Sequence, residues 1–175
     1  MPVLPIVRWP DPVLLTVGKP VADEEFGPEL ERLADDMFVT MESAGGVGLA
    51  APQVGISKRL FVMDTPGKEE GEPHERHVLV NPEIVSIEGE QVGEEGCLSF
   101  PGLFQMIKRE MRVIARARYA RGEEFELDVA HLAARCILHE TDHCDGIVFL
   151  DRMTPLKRQL AKRKIKTLQE TGKWN

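Results

Sequence analysis

The chain carries a His-Glu-x-x-His pattern at His139-Glu140-Thr141-Asp142-His143. On a helix, residues four apart share one face about 6 Å apart along the axis, so both imidazoles can bind one metal ion. Glu140, next in sequence to one imidazole, then reaches a water held by that ion, which is the geometry of hydrolytic metal chemistry. Two imidazoles leave a catalytic metal short of its usual three protein ligands. Cys136 lies on the same face but about 7.5 Å along the axis from the metal's level, beyond roughly 5 Å of thiol reach. Cys144 points about 100° away from His143. The third ligand is therefore Cys97, in Glu95-Gly96-Cys97-Leu98-Ser99, or an acid elsewhere. Gly93 and Gly96 beside Cys97 let backbone approach another group closely, which suits a ligand-bearing strand or turn. Asp142 is expected to orient a ligand or to pair with a cation such as Arg109.

A further segment, Gly45-Gly46-Val47-Gly48-Leu49-Ala50-Ala51-Pro52-Gln53, is rich in small residues that bring backbone close to a ligand. It lacks the Gly-Lys-Ser/Thr ending of a phosphate loop, so nucleotide binding is not expected from it. His74 and His77 fall in or beside a polar stretch and are read as solvated, and His131 as a helix-start residue.

The elements that must position these groups are legible from periodicity. Apolar residues Leu30, Leu33, Ala34, Met37, Phe38 and Met41 follow Pro28 at helical spacing, and Gly45-Gly46 stop a helix expected over 28–43. Arg59 to Met63 reads as a strand, and Thr65 to Arg76 as a surface loop. His77 to Asn81 and Ile84 to Glu88 read as two strands separated by a turn at Pro82. Met111 to Arg118 and Glu124 to Val129 read as a hairpin around Arg121-Gly122. Helical spacing returns from His131 to Cys144 and again from Pro155 to Glu170, where Leu156, Leu160, Ile165 and Leu168 are expected on one side. The sum is an α+β fold, with helices packed on small antiparallel sheets.

At 175 residues, 42% hydrophobic and 29% charged, the chain has the size and mix of one soluble domain spanning 1–175. Disorder, collagen and a disulfide scaffold are excluded, the last because three cysteines are too few and odd in number. No apolar run reaches about 18 residues and the proline-broken start lacks a signal-peptide layout, so a cytoplasmic protein without a membrane partner is expected. The net charge of −7 disfavours DNA binding, yet residues 152–175 hold eight Lys or Arg against Glu170 alone, which puts +7 on the tail and −14 on the rest.

Three segments in order, Gly46 to Gln53, Glu95 to Ser99 and His139 to His143, resemble the motifs of the peptide deformylase family. The opening Val7-Arg8-Trp9-Pro10-Asp11-Pro12-Val13-Leu14 and the stretch Asp145-Gly146 to Asp151-Arg152 are similar to that family too, so the likeness spans nearly the whole chain. The resemblance implies removal of the formyl group from formyl-methionine at the start of nascent polypeptides, with release of formate. It implies that Cys97, His139 and His143 hold a divalent metal and that Glu140 moves the proton. Gln53 and the backbone N–H of Leu98 are implied as donors to the oxyanion. Val47, Gly48, Gly96 and Cys136 are implied as the lining of the substrate groove. Fe(II) is the implied metal in the cell, with Zn(II), Ni(II) or Co(II) able to replace it. Ribosome docking through the basic C-terminal helix is implied as well.

The chain departs from the family pattern at Leu138, Thr141, Cys144 and Phe104. The last stands where many relatives have a substrate-contacting arginine, and Lys108 and Arg109 are the nearest cations in sequence. A zinc endopeptidase would share the His-Glu-x-x-His helix, but no histidine follows His143 to complete such a site. An inert metal-binding relative would need neither Glu140 nor Gln53.

Overall fold

A computed structural model describes residues 1–175. Its regular elements are helix α1 (Pro28–Ser43) and strands β1 (Gly48–Ala50), β2 (Leu60–Thr65), β3 (Glu75–Glu88), β4 (Gln91–Cys97), β5 (Phe100–Arg109), β6 (Arg112–Arg118) and β7 (Glu124–Ala130). Helices α2 (His131–Cys144) and α3 (Pro155–Glu170) complete them. Both sheets are antiparallel: five strands in the order β1-β2-β3-β6-β7, and a separate pair β4-β5.

Strand β2 explains the middle of the architecture. Its run Leu60-Phe61-Val62-Met63 is wholly buried, because both faces of the sheet are covered there. Leu60 and Val62 pack with Met37, Phe38 and Met41 of α1, whereas Phe61 and Met63 pack with Ala134, Cys136 and Ile137 of α2. A third apolar cluster joins Phe100, Leu103 and Ile107 of β5 to Phe149, Leu150 and Ile165, closed by Trp174. Helix α2 follows β7 without a loop. His131 turns the corner with φ +59°, and its N–H donates to the Met111 carbonyl.

Three expectations need correction. Residues 75–88 form one strand rather than two, and Pro82 sits where the β3–β6 register shifts instead of in a reversing turn. Asn81 adopts φ +52° there, and its amide clamps the Val21 backbone at 2.8 and 3.0 Å, so the chain bends without reversing. On α3 the buried stripe is Ala161 and Ile165, with Leu168 half-buried, while Leu156 and Leu160 lie exposed. The β4–β5 hairpin was not anticipated, since Gln91-Val92-Gly93-Glu94-Glu95-Gly96 has the composition of a loop. No helix is long and apolar enough to cross a membrane.

Candidate metal centre

Helix α2 runs through the interior with His139, Glu140, Thr141, Asp142 and His143 all buried, an expensive arrangement unless each group is used. His139 and His143 lie one turn apart, their rings edge to face with centroids 5.0 Å from each other and planes inclined at 67°. Strand β4 ends at Cys97, whose Sγ lies 3.4 Å from His143 Nε2. The three donor atoms lie within 4.8 Å of one another, so Cys97, His139 and His143 together could hold one metal ion. Tetrahedral coordination at about 2.0–2.3 Å separates donor atoms by roughly 3.3–3.8 Å, so the trio fits one ion with small adjustment.

The groups behind this trio favour the metal-ready state. Glu95 Oε1 accepts from His139 Nδ1 at 2.5 Å, which fixes the ring and turns its Nε2 toward Cys97. Burial alone would raise the Glu95 pKa, but hydrogen bonds with His139 and Arg109 hold the carboxyl well below its ordinary range. The same carboxylate is bidentate with Arg109 at 2.7 and 3.1 Å and accepts from Arg135 at 2.7 Å. Arg109 in turn bonds Asp142 at 2.7 Å, and Arg152 closes the chain on Asp142 at 2.7 and 3.0 Å. Burial disfavours charge on His139, yet Cys97 and Glu95 raise its pKa above the histidine range; a cation at Nε2 would take that proton's place. Burial and the neighbouring His139 keep His143 neutral, ready to donate a lone pair.

Of the three buried carboxylates at the centre, Glu95, Glu140 and Asp142, only Glu140 is left with an unpartnered oxygen. Its Oε2 is buried without a hydrogen-bond partner, and burial pushes its pKa up to about 7. An orphaned carboxylate oxygen beside three ligand atoms is suited to taking a proton from a water. Gly48 presses against it: a Cβ there would come within 2.7 Å of Glu140 Oε1 and 2.8 Å of Cys136 Sγ.

Gln53 reaches the centre from a short 3-10 turn over Ala51–Val54. Its Oε1 accepts from the Ala50 N–H at 2.9 Å, and its Nε2 lies 3.5 Å from Cys97 Sγ and 3.3 Å from Ser99 Oγ. The N-terminal segment fastens both sides. The Val7 N–H donates to the Gln53 carbonyl at 2.8 Å, the Trp9 N–H donates to the Ser99 carbonyl at 3.1 Å, and Arg8 donates to the Leu98 carbonyl at 3.1 Å.

A cleft of about 510 Å³ opens on this centre. Val47, Gly48, Gly96, Cys97, Leu98, Cys136, His139 and Glu140 all line it. Gln53 and His143 do not; both are buried just behind its wall. Of the two cations nearest position 104 in sequence, Arg109 is committed to Glu95 and Asp142 inside the protein, and Lys108 pairs with Glu90 on the surface. Cys144 points into the core rather than toward the metal trio. His74 pairs with Asp64 in the open, whereas His77 is largely covered, stacked on Phe125 and bonded to Glu75. The pairing of Asp142 with Arg109 was expected, whereas Glu95 and Arg135 are the residues whose role sequence reasoning missed. The available signal was the second of two adjacent glutamates, two residues before the candidate ligand.

A thiolate and two imidazoles beside a free buried carboxylate, opening on one cleft, define a metal-dependent hydrolase. The polypeptide deformylase family model matches residues 3–159. A peptide deformylase of Acidobacterium capsulatum is 49% identical over 174 residues, covering 99% of this chain and all of that protein. A crystal structure of a peptide deformylase from Legionella pneumophila superposes with a TM-score of 0.87 at 43% identity, covering 98% of each chain. One from Ehrlichia chaffeensis, in complex with actinonin, gives 0.86 at 39% identity over 95% of this chain and 98% of that one. The chain belongs to the peptide deformylase family, and its α+β fold is that of the family.

Proposed function

We propose that this chain removes the formyl group from the N-terminal formyl-methionine of nascent polypeptides at the site described, with Cys97, His139 and His143 as the metal ligands. The observation that carries the assignment is the buried, unpartnered Oε2 of Glu140 beside the three donor atoms. A divalent ion held there acidifies water and polarises the formyl carbonyl. Glu140 takes the proton of the attacking water and passes it to the departing amine nitrogen, so that formate and a free amino terminus leave. The Gln53 Nε2 and the Leu98 N–H donate to the oxygen that becomes negative during the attack.

The sheet edges support an extended peptide as substrate. Strand β1 pairs only with β2 and β4 only with β5, so each has a free edge, and Gly48 at the start of β1, the two residues before it and residues 94–96 of β4 line the cleft. Two unpaired edges offer main-chain hydrogen bonds to a strand laid between them. Cys136 and Leu132 line the same cleft, where the methionine side chain would enter.

Among the metals, thiolate and imidazole accept iron, zinc, nickel or cobalt by softness. Fe(II) is the ion we assign in the cell, on the family resemblance. The test is formate release from a formyl-methionyl peptide by protein purified without oxygen, with metal analysis and the Glu140→Ala variant alongside. Release that survives Glu140→Ala at the wild-type rate would overturn the assignment.

A cytoplasmic location and docking to the ribosome follow from the same reading. Helix α3 buries Ala161 and Ile165 and turns Lys162, Arg163, Lys164 and Lys166 to solvent. Reversing Lys162, Arg163 and Lys166 to Glu should abolish co-sedimentation with ribosomes at low salt, and wild-type binding should fall steeply as salt rises. Unchanged co-sedimentation of that variant would rule docking out.

A further inference from the structure

Leu98 stands on a turn that its own sequence does not fix. Leu98 and Ser99 join β4 to β5 where Cys97 faces Phe100, and the register of the pair breaks between Gly96 and Cys97. Neither residue is a glycine and neither has a positive φ, so the turn is not of the primed kinds whose twist matches that of paired strands. Contacts from outside hold it instead. The Leu98 side chain lies on Gly46, where a Cβ would meet its Cδ1 at 2.7 Å. The Ser99 carbonyl accepts from the Trp9 N–H at 3.1 Å, and the Leu98 carbonyl accepts from Arg8 Nη1 at 3.1 Å. The Leu98 N–H itself donates to no group of the protein.

Arg8 is half-buried and borders the cleft, yet none of its hydrogen bonds goes to a carboxylate. It is spent on three backbone carbonyls, Nη1 on Leu98 and on Ile6 at 3.3 Å, and Nε on Trp174 at 3.2 Å. A guanidinium holds its donors in one rigid plane, so the bond to Trp174 aims the bond to Leu98. Trp174 is anchored in turn. Its side chain is buried, its ring meets Phe100 edge-on with centroids 5.8 Å apart, and its Nε1 donates to the Trp9 carbonyl at 2.9 Å. The last residues of the chain thus press the first ones against the turn.

We propose that Arg8, braced by Trp174, is a positioning residue for the reaction: it fixes the Leu98 backbone so that the free N–H points at the oxygen that becomes negative. A donor held in place before the charge develops costs no reorganisation when it does. The inference rests on the deformylase reading of the cleft, and it adds both ends of the chain to the machinery through a side chain that acts only by way of Leu98.

The experiment measures kcat and KM for formate release from a formyl-Met-Ala-Ser peptide by metal-loaded wild-type, Arg8→Met and Arg8→Lys proteins, and records the amide NMR signal of Leu98 in their zinc-loaded forms. Arg8→Met keeps an apolar stem and removes the donors. It should lower kcat about tenfold, part of the roughly 100- to 1,000-fold that loss of a whole oxyanion donor costs, with KM within about twofold. The Leu98 signal should move while metal content and melting temperature stay near wild type. Arg8→Lys keeps one donor without the fork, so kcat should recover to about threefold below wild type. Wild-type kcat in Arg8→Met, a rise in KM alone, or a loss of activity matched by loss of metal would each overturn the proposal. Where Arg8→Met does not fold, Trp174→Phe replaces it, since the ring stays in the cluster and only the bond to Trp9 is lost. An unmoved Leu98 signal in that variant would equally overturn the proposal. Absence of formate from the wild type would overturn the deformylase reading itself, whereas a working wild type beside an equally fast Arg8→Met protein overturns this inference alone.

Discussion

His139 and Glu95 are joined through Nδ1 and Oε1 at 2.5 Å, and the same carboxylate is the only acid bonded to Arg135. One buried group therefore aims the imidazole of a candidate metal ligand and balances guanidinium charge behind the centre.

Exchange of Glu95 for Gln should separate these two duties. The amide can still accept from His139, but it leaves Arg109 and Arg135 facing a neutral partner inside the protein. Metal affinity should fall about 10- to 100-fold, as is usual when the group behind a ligand is altered. Stability should fall by about 3 kcal/mol, the cost of breaking a buried ion pair. Metal titration and thermal unfolding of the metal-free protein measure the two losses separately; an unchanged melting temperature would contradict the ion-pair argument.

Asp142 tests the outer half of the same chain of charges. It carries no chemistry in the proposed mechanism, yet it accepts from Arg109 at 2.7 Å and from Arg152 at 2.7 and 3.0 Å. Asp142→Asn should destabilise the protein by about 1–3 kcal/mol, since Arg109 keeps Glu95 and Arg152 is half in solvent. Metal content should stay near one ion per chain. Loss of metal with unchanged unfolding would mean that Asp142 acts on the ligands directly.

Much of this arrangement was readable in the chain itself, and the failures have physical causes. Helices over 28–43, 131–144 and 155–170 follow from 3.6-residue periodicity bounded by Pro and Gly, and the structure has these boundaries. The His pair and Glu140 follow from spacing on one helix. Cys97 could only be narrowed to a candidate, because its position depends on a hairpin whose strand β4 is stabilised by pairing with β5 and by the Glu95 ion pairs rather than by intrinsic propensity. Pro82 signalled a turn, and only the Asn81 clamp on Val21 explains why the strand bends and continues. The exposure of Leu156 and Leu160 was not visible because periodicity locates a stripe without saying how much of it the body covers.

Gly48 gives a sharp steric test. Its backbone is not left-handed, so Gly48→Ala strains no dihedral, and the added methyl meets Glu140 Oε1 at 2.7 Å and Cys136 Sγ at 2.8 Å. Glu140 must give way by several tenths of an ångström, and since a misplacement of about 1 Å costs on the order of a hundredfold, kcat should fall by about tenfold. Metal content and KM for a short formyl peptide should change far less. A variant with full kcat would show that Glu140 tolerates displacement and would weaken its role as the base.

Thr141 offers the opposite kind of change, a gain. Its hydroxyl is buried on α2 without a partner, although the residue lies between the metal-side histidines. Thr141→Val keeps the shape and removes the unsatisfied group, so stability should rise by about 1 kcal/mol, read as a higher melting temperature with metal content unchanged. A lower melting temperature would mean that the hydroxyl has a partner, such as an ordered water.

The pH dependence follows from Glu140. Burial raises its pKa to about 7, and the carboxylate form is the one that accepts a proton from water. Below that pKa the group is protonated and cannot act as a base, so kcat/KM should rise with pH and level off. Neighbouring His139 and Arg109 already pull the pKa down against burial, and a bound divalent cation acts in the same direction. The acid limb of the metal-loaded enzyme should therefore lie at or below about pH 7, with a slope of one proton. For stability the sign is the reverse of the usual carboxylate case. A folded pKa raised above the unfolded value of about 4.3 means that the metal-free native state holds a proton the unfolded chain has lost. The metal-free protein should then lose stability as pH rises from about 4 to 7, and Glu140→Gln should remove that dependence. Paired pH profiles of kcat/KM for the loaded enzyme and of unfolding for the metal-free wild type and Glu140→Gln provide the check. A plateau of activity extending unchanged to pH 4, or identical unfolding profiles for the two proteins, would remove Glu140 from the role of titrating base.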